Sequence, residues 1–112
     1  MGRMLGQARP ANTNAVSIYS PAGNARAEVL QIVICNTTSS AATFRIFHDD
    51  DGTTYDQTTA LYYDKTVAAN DTLRVYPNDP PGFAMVNAAG NLAVRTDTNN
   101  ALTFTVYGNE IT

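Results

Sequence analysis

Short runs in which apolar and polar residues alternate recur along most of this chain, about every ten residues. The run from Leu102 to Tyr107 is the clearest, because leucine, phenylalanine and valine alternate there with threonine and tyrosine. A two-residue period is that of a β-strand with one buried face, whereas an α-helix has a period of about 3.6 residues. No stretch of the sequence has a convincing helical period. The chain is therefore predicted to be all-β.

Turn-forming residues separate eight candidate strands, most plainly in the segment 78–82, which contains two adjacent prolines. In the longest run, Leu30, Ile32 and Ile34 are predicted to share one face, and the other face is nearly as apolar, which indicates a strand covered on both sides. The predicted strands are 16–19, 28–36, 43–48, 61–64, 71–76, 83–86, 92–96 and 102–107. Their number and spacing predict an antiparallel β-sandwich with jelly-roll or immunoglobulin-like connections.

The first fourteen residues differ from the rest of the chain. They contain two arginines and no acidic residue, and they show no sustained period. Such a segment buries too little apolar surface to offset its ordering entropy, so we expect it to become ordered against a neighbouring molecule. The sequence therefore predicts an extended N-terminal arm, 1–14, and a β-sandwich domain, 15–112. The arm residues expected to bind a partner are Arg3, Met4, Leu5 and Arg9.

Composition narrows the range of partners. The chain has 112 residues, a single-domain length, with 15% charged residues and a formal net charge of -3. An acidic balance argues against nucleic-acid binding. No apolar stretch approaches the roughly 20 residues of a membrane-spanning helix. Cys35 is the single cysteine, predicted to be a buried and inert thiol, so no cysteine-based metal cluster is possible. We expect no nucleic-acid partner, no membrane association and no cofactor.

The sequence His48-Asp49-Asp50-Asp51-Gly52 is the sharpest local feature. It predicts an exposed acidic hairpin, and the alternatives are a weak cation site or a contact with a basic partner. An EF-hand is excluded because its position 12 is Ala60 instead of glutamate. The lone histidine is predicted to be solvated, with a pKa raised by the adjacent acids. No serine lies in a nucleophile-elbow sequence, which predicts a protein that is not an enzyme.

The tyrosines of the chain are the remaining candidates for a binding role. Tyr62 and Tyr63 must point to opposite faces of one strand, so at most one of them belongs to the core. Tyr55, Tyr62, Tyr63 and Tyr76 could pack between strands, anchor a protein interface or stack on a sugar. Tyr55 and Tyr63, together with Asp49, Asp50 and Asp51, are the candidate interface residues of the body.

The order of strands and turns also resembles a known group of proteins. An apolar strand that ends at Asn36 is followed by a loop of threonine, serine and alanine and then by a second strand. The segments that carry the resemblance are 28–48, 67–73, 90–96 and 100–111. They are similar to the small β-sandwich structural proteins of tailed-bacteriophage virions.

This resemblance covers residues 16–111 and implies a structural function. It implies a capsid decoration, or cement, protein that stabilises the phage head by bridging capsid subunits. The expected partners are the major capsid protein or other virion proteins, together with further copies of the chain, for example in a trimer. The expected location is the virion, assembled in the host cytoplasm. A neck, tail or fibre accessory protein is the alternative within the same particle, and a carbohydrate-binding module is the alternative outside this class.

Overall fold

The computed structural model describes residues 3–23, 25–77 and 82–111 as two antiparallel β-sheets packed together, with no helix in these ranges. The predicted antiparallel β-sandwich is confirmed. Nine strands form it: β1 (Arg3–Ala8), β2 (Val16–Tyr19), β3 (Arg26–Asn36), β4 (Ala42–Asp49), β5 (Ala60–Val67), β6 (Thr72–Val75), β7 (Phe83–Met85), β8 (Asn91–Thr96) and β9 (Leu102–Ile111). Residues 78–81 of the predicted proline-containing turn lie outside the described residues, as do residues 1, 2 and 112 at the ends of the predicted arm and domain.

The strand order shows which of the two predicted topologies, jelly-roll or immunoglobulin-like, the chain adopts. Sheet A has the order β1-β9-β3-β6, with β7 also paired to β3, and sheet B has the order β2-β8-β4-β5. The chain therefore alternates between sheets from β1 to β4, and the last two strands, β8 and β9, insert beside the first two. This interleaving of two four-stranded sheets is the jelly-roll arrangement, to which β7 is an addition.

The core lies between the two sheets and contains the side chains that the alternation assigns to the inner faces. Phe44 of sheet B packs edge-on against Phe104 of sheet A, with ring centroids 6.2 Å apart and an interplanar angle of 74°. Around this pair, the aliphatic side chains are fully buried. They include Ile32, Ile34, Ile46, Leu92, Val94, Leu102 and Val106.

A β-bulge changes the inner face of β3 relative to the sequence prediction. Val29 pairs with Gly108 and Gln31 with Tyr107, so Leu30 is an extra residue on the β3 side. Val29 and Ile32 are both fully buried, while Leu30 is partly exposed. The prediction that Leu30 shares the buried face of Ile32 was therefore wrong, because the bulge interrupts the two-residue period.

The N-terminal segment also differs from the expectation of an arm outside the sandwich. Residues Arg3–Ala8 form β1, which pairs antiparallel with β9 at the edge of sheet A. Leu5 packs against the core, and the backbone of Gly6 lies so close to the carbonyl of Ile18 that a Cβ would clash. The main-chain hydrogen bonds of a strand need few apolar side chains, which is why composition gave no sign of β1.

Candidate functional site

The three adjacent aspartates of the acidic segment have different environments. Asp49 is buried, and its carboxylate accepts hydrogen bonds from the backbone N–H groups of Thr54 at 2.7 Å and Asp51 at 3.3 Å. These backbone donors lower the pKa of Asp49. Asp50 and Asp51 are exposed. Among the described residues, no group of three or more histidine, cysteine or acidic side chains is placed to hold a metal ion. Asp49 therefore shapes the loop, and the exposed carboxylates beside it belong to Asp50 and Asp51.

His48 is not the solvated residue that the sequence predicts. Its ring packs on Phe83 with centroids 4.9 Å apart, and its buried Nε2 lies 3.9 Å from Asp50 Oδ1 without a hydrogen-bond partner among the described residues. Burial lowers the pKa of His48, although the charges of Asp50 and Asp49 act in the opposite direction. The prediction of a raised pKa was wrong because desolvation outweighs the acidic neighbours.

This burial predicts acid sensitivity. Because the pKa of His48 is lower in the folded chain than the usual 6.5, the unfolded chain binds the proton more readily. Stability should therefore fall as the pH drops from about 6.5 through the folded-state pKa. Urea unfolding at about pH 7.5 and about pH 5.5 measures this loss. In His48→Phe, which keeps a ring beside Phe83, the loss over this interval should be smaller. An equal loss in both proteins would contradict the assignment.

The segment 50–59, which connects β4 to β5 and begins with Asp50 and Asp51, lies over the outer face of sheet B. Tyr55 packs on Phe47, with ring centroids 6.1 Å apart, and Phe47 is 1% exposed although its position alternates with the core residue Ile46. Asn91 Nδ2 donates to the carbonyl of Gly52 at 2.7 Å and ties the same segment to β8. Tyr55 is therefore a half-buried residue that covers part of the sheet, in agreement with the packing alternative.

Tyr63 lies on β5 beside a charge pair. The guanidinium of Arg45 lies 3.9 Å from the centroid of the Tyr63 ring, and it donates from Nε at 2.7 Å and Nη2 at 3.1 Å to the carboxylate of Asp64. This hydrogen bonding lowers the pKa of Asp64 and raises that of Arg45. Asp64 has a positive φ of 55°, in a bulged part of β5. Arg45 thus packs against the ring of Tyr63 while its charge is paired with that of Asp64.

Together these residues form an open groove on the outer face of sheet B, which we call the sheet B groove. Its volume is about 510 Å³, and it is lined by Arg45, Tyr55, Asp56, Gln57, Thr58 and Tyr63. The structure therefore brings together the two tyrosines that the sequence singled out. Asp49, Asp50 and Asp51 do not line this groove.

The outer face of sheet A has a different chemistry. We call it the sheet A face and define it by the outward positions Met4, Gln7, Gln31, Val33, Cys35, Thr72, Arg74, Tyr76, Thr103, Thr105 and Tyr107. Arg74 is the charged member of this set. Met4, Tyr107 and Tyr76 are 54%, 37% and 52% exposed, and Gln31 donates to the Tyr76 hydroxyl at 3.1 Å.

Cys35 is partly exposed on this face, so the prediction of a buried thiol was wrong. Tyr107 was not among the predicted interface residues, although it occupies one of the polar positions of the alternating run from Leu102 to Tyr107.

The four predicted arm residues lie in different environments. Met4 belongs to the sheet A face and Leu5 to the core, and Arg9 Nη2 donates to Thr37 Oγ1 at 3.3 Å. Arg3 lies 3.3 Å from the carboxylate of Glu110. The same carboxylate accepts a hydrogen bond from Tyr19 Oη at 2.5 Å, and burial, together with this hydrogen bond, raises the pKa of Tyr19. The segment is thus held by the body of its own chain at several points.

A search of the described residues for a helix long and apolar enough to span a membrane finds none. Comparison with the models of known protein families gives no match, and comparison with curated protein sequences gives none either.

Proposed function

We propose that this chain is a non-enzymatic structural protein of a tailed-phage virion, and specifically a capsid decoration protein that bridges capsid subunits. The resemblance in strand and turn order supports the class of particle. The observation that carries a protein-binding function is the sheet A face, where Met4, Tyr76 and Tyr107 are exposed on a surface with few charges.

Such a face suits burial against another protein. Interface cores are depleted in charged residues and enriched in tyrosine and methionine, and tyrosines are frequent hot spots. Docking would desolvate Arg74 and otherwise mainly hydroxyl, amide and apolar groups, which limits the energetic cost. The proposed partners are the major capsid protein or another virion protein, and further copies of this chain, for example in a trimer. The place of action is the virion, assembled in the host cytoplasm.

A neck, tail or fibre accessory protein is the second candidate in the same particle, because the sheet A face would serve it equally well. The number of copies in purified virions separates the two. A decoration protein should be present in proportion to the capsid subunits, whereas a neck or tail component should be present in far fewer copies. Light scattering of the isolated chain tests the homo-oligomer, and a monomer at all concentrations would restrict binding to other virion proteins.

Replacing both tyrosines of the sheet A face should weaken docking. We expect Tyr76→Ala with Tyr107→Ala to reduce cosedimentation with capsids of the parent phage by at least about 10-fold in affinity, because two aromatic anchors are lost. Tyr63→Ala is the matched control, since it removes an exposed tyrosine from the other sheet. Failure of the unaltered chain to cosediment would refute the proposed function. Equal binding of the unaltered chain, the double variant and Tyr63→Ala would show that the sheet A face is not the docking surface.

A further inference from the structure

We propose that the sheet B groove binds an uncharged saccharide. This site is separate from the sheet A face and does not depend on the proposed function. The groove is lined by two tyrosines and by arginine, aspartate, glutamine and threonine side chains, and its volume is about 510 Å³. That volume falls within the range of small-ligand sites, which is roughly 300–1,000 Å³.

The aromatic groups of the groove are held in place before any ligand arrives. Arg45 lies over the ring of Tyr63 and is itself fixed by two hydrogen bonds to Asp64. Tyr55 packs on the buried Phe47. Ordering these side chains on binding would therefore cost little conformational entropy, which matters for a weakly bound ligand. Because Arg45 covers part of the Tyr63 ring and Phe47 part of the Tyr55 ring, the C–H groups of a sugar would pack on the exposed remainder of each ring, and the tyrosine hydroxyls would face its polar edge.

The loop wall of the groove is also preorganised. The carboxylate of Asp56 accepts hydrogen bonds from the Thr58 N–H at 2.8 Å and from the Thr58 hydroxyl. The hydroxyl of Thr59 donates to the Thr54 carbonyl at 2.8 Å, and Asp49 anchors the start of the same loop through the Thr54 N–H. This wall presents polar groups at defined positions, as recognition of sugar hydroxyls requires.

The charges in the groove favour an uncharged saccharide over an anionic one. The guanidinium of Arg45 is paired with Asp64, and the Asp56 carboxylate is engaged by Thr58, which lowers the pKa of Asp56. The charge of Arg45 is therefore compensated by Asp64, whereas Asp56 receives hydrogen bonds from neutral donors and keeps its negative charge. An anion would have to compete with Asp64 for Arg45 and would be repelled by the Asp56 carboxylate. Hydroxyl groups can instead add to both arrangements, because carboxylates and guanidinium groups have further hydrogen-bonding capacity.

A peptide is a poorer match for this site. An extended peptide would add to the free edge of β5, yet the register of β5 shifts between its pairs with Phe44 and Ile46. Asp64, with its φ of 55°, lies within this bulge, and Lys65 follows it on the strand. Bulges and lysines at a sheet edge oppose strand addition. The residues that line the groove also include no aliphatic side chain to form an apolar socket.

The test is an NMR titration of the full chain with maltohexaose, cellohexaose, chitohexaose and, as a charged comparison, sialyllactose. We expect a neutral oligosaccharide to shift the resonances of Tyr55, Thr58 and Tyr63. Tyr63→Ala should weaken this binding at least about 10-fold, and Tyr76→Ala, an exposed tyrosine of sheet A, should leave it unchanged. Gln57→Ala, on the exposed loop, provides a second variant in case the loss of Tyr63 disturbs β5.

Several outcomes would overturn the inference. These are the absence of shifts at the groove with every neutral sugar, a preference for sialyllactose, and undiminished binding in both groove variants. Binding of peptides from a random library at the same resonances, with no response to sugars, would replace the saccharide by a peptide ligand. Since the capsid assay uses the opposite sheet, an unaltered chain that binds no neutral sugar but cosediments normally would refute this site while leaving the proposed function intact.

Discussion

Deletion of residues 1–9 should lower the free energy of unfolding by about 3–5 kcal/mol. The deletion removes β1, so its hydrogen bonds to β9 and the core contacts of Leu5 are lost together. Each lost hydrogen bond contributes about 1 kcal/mol and the partly buried leucine about 1–2 kcal/mol. Because small domains have only about 5–15 kcal/mol of stability, much of the truncated protein could be unfolded at moderate temperature. Urea denaturation followed by circular dichroism measures the change.

Point variants distinguish the stability contributed by the main-chain pairing of β1 from that contributed by its side chains. Leu5→Ala should cost about 2 kcal/mol, because Leu5 packs on the core. Met4→Ala, at a position that is 54% exposed, should change stability by no more than about 0.5 kcal/mol. A truncated chain with the denaturation midpoint of the full-length protein would show that residues 1–9 behave as the independent arm expected from the sequence.

Most of the fold could be predicted from the sequence, because the hydrophobic alternation determines which side chains enter the core. All eight predicted strands correspond to β2 through β9, with ends that differ by a few residues. The missing strand, β1, is held mainly by main-chain pairing, and its six residues contain a glycine and two polar side chains. The bulge at Leu30 could not be predicted either, since it depends on the pairing of β3 with β9.

The candidate sites were less predictable than the fold. Tyr55 and Tyr63 could be selected by residue type, but their common groove exists because the loop after Asp49 folds back over sheet B. The acidic run suggested three equivalent carboxylates, and the structure distinguishes the buried Asp49 from the exposed Asp50 and Asp51. His48 shows the same limit, because its pKa depends on burial against Phe83, a residue distant in sequence. The sequence can therefore identify candidate residues, but their burial, pKa and neighbours depend on tertiary contacts.

Among the polar residues, the largest effect of a single substitution is expected at Asn36, which the sequence placed at the end of the predicted strand 28–36. Asn36 is 1% exposed at the end of β3. Its Nδ2 donates to the carbonyls of Ser40 at 2.9 Å and Val67 at 3.1 Å. Its Oδ1 accepts from the N–H and hydroxyl of Thr38 at 2.9 Å and 2.8 Å. One side chain thus joins β3, the following loop and the end of β5.

Asn36→Ala should lower the free energy of unfolding by about 2–4 kcal/mol, because it leaves the buried Val67 carbonyl, and the partly buried Ser40 carbonyl and Thr38 N–H, without their partner. Asn36→Asp, which keeps the shape of the side chain, should be at least as destabilising near neutral pH, since a carboxylate would then face the carbonyls of Ser40 and Val67. This variant should recover part of its stability when acid protonates the carboxylate, relative to Asn36→Ala under the same conditions.

Asn12→Ala provides the matched control for these variants. Asn12 also accepts a backbone hydrogen bond, from the Asn14 N–H at 3.0 Å, but it does so in solvent. Its replacement should change stability by no more than about 0.5 kcal/mol. Equal urea midpoints for Asn36→Ala and Asn12→Ala would mean that burial adds nothing to the hydrogen bonds of Asn36. A much lower midpoint for Asn36→Ala would instead assign this asparagine the structural role of a cross-link between the two sheets, made without a covalent bond.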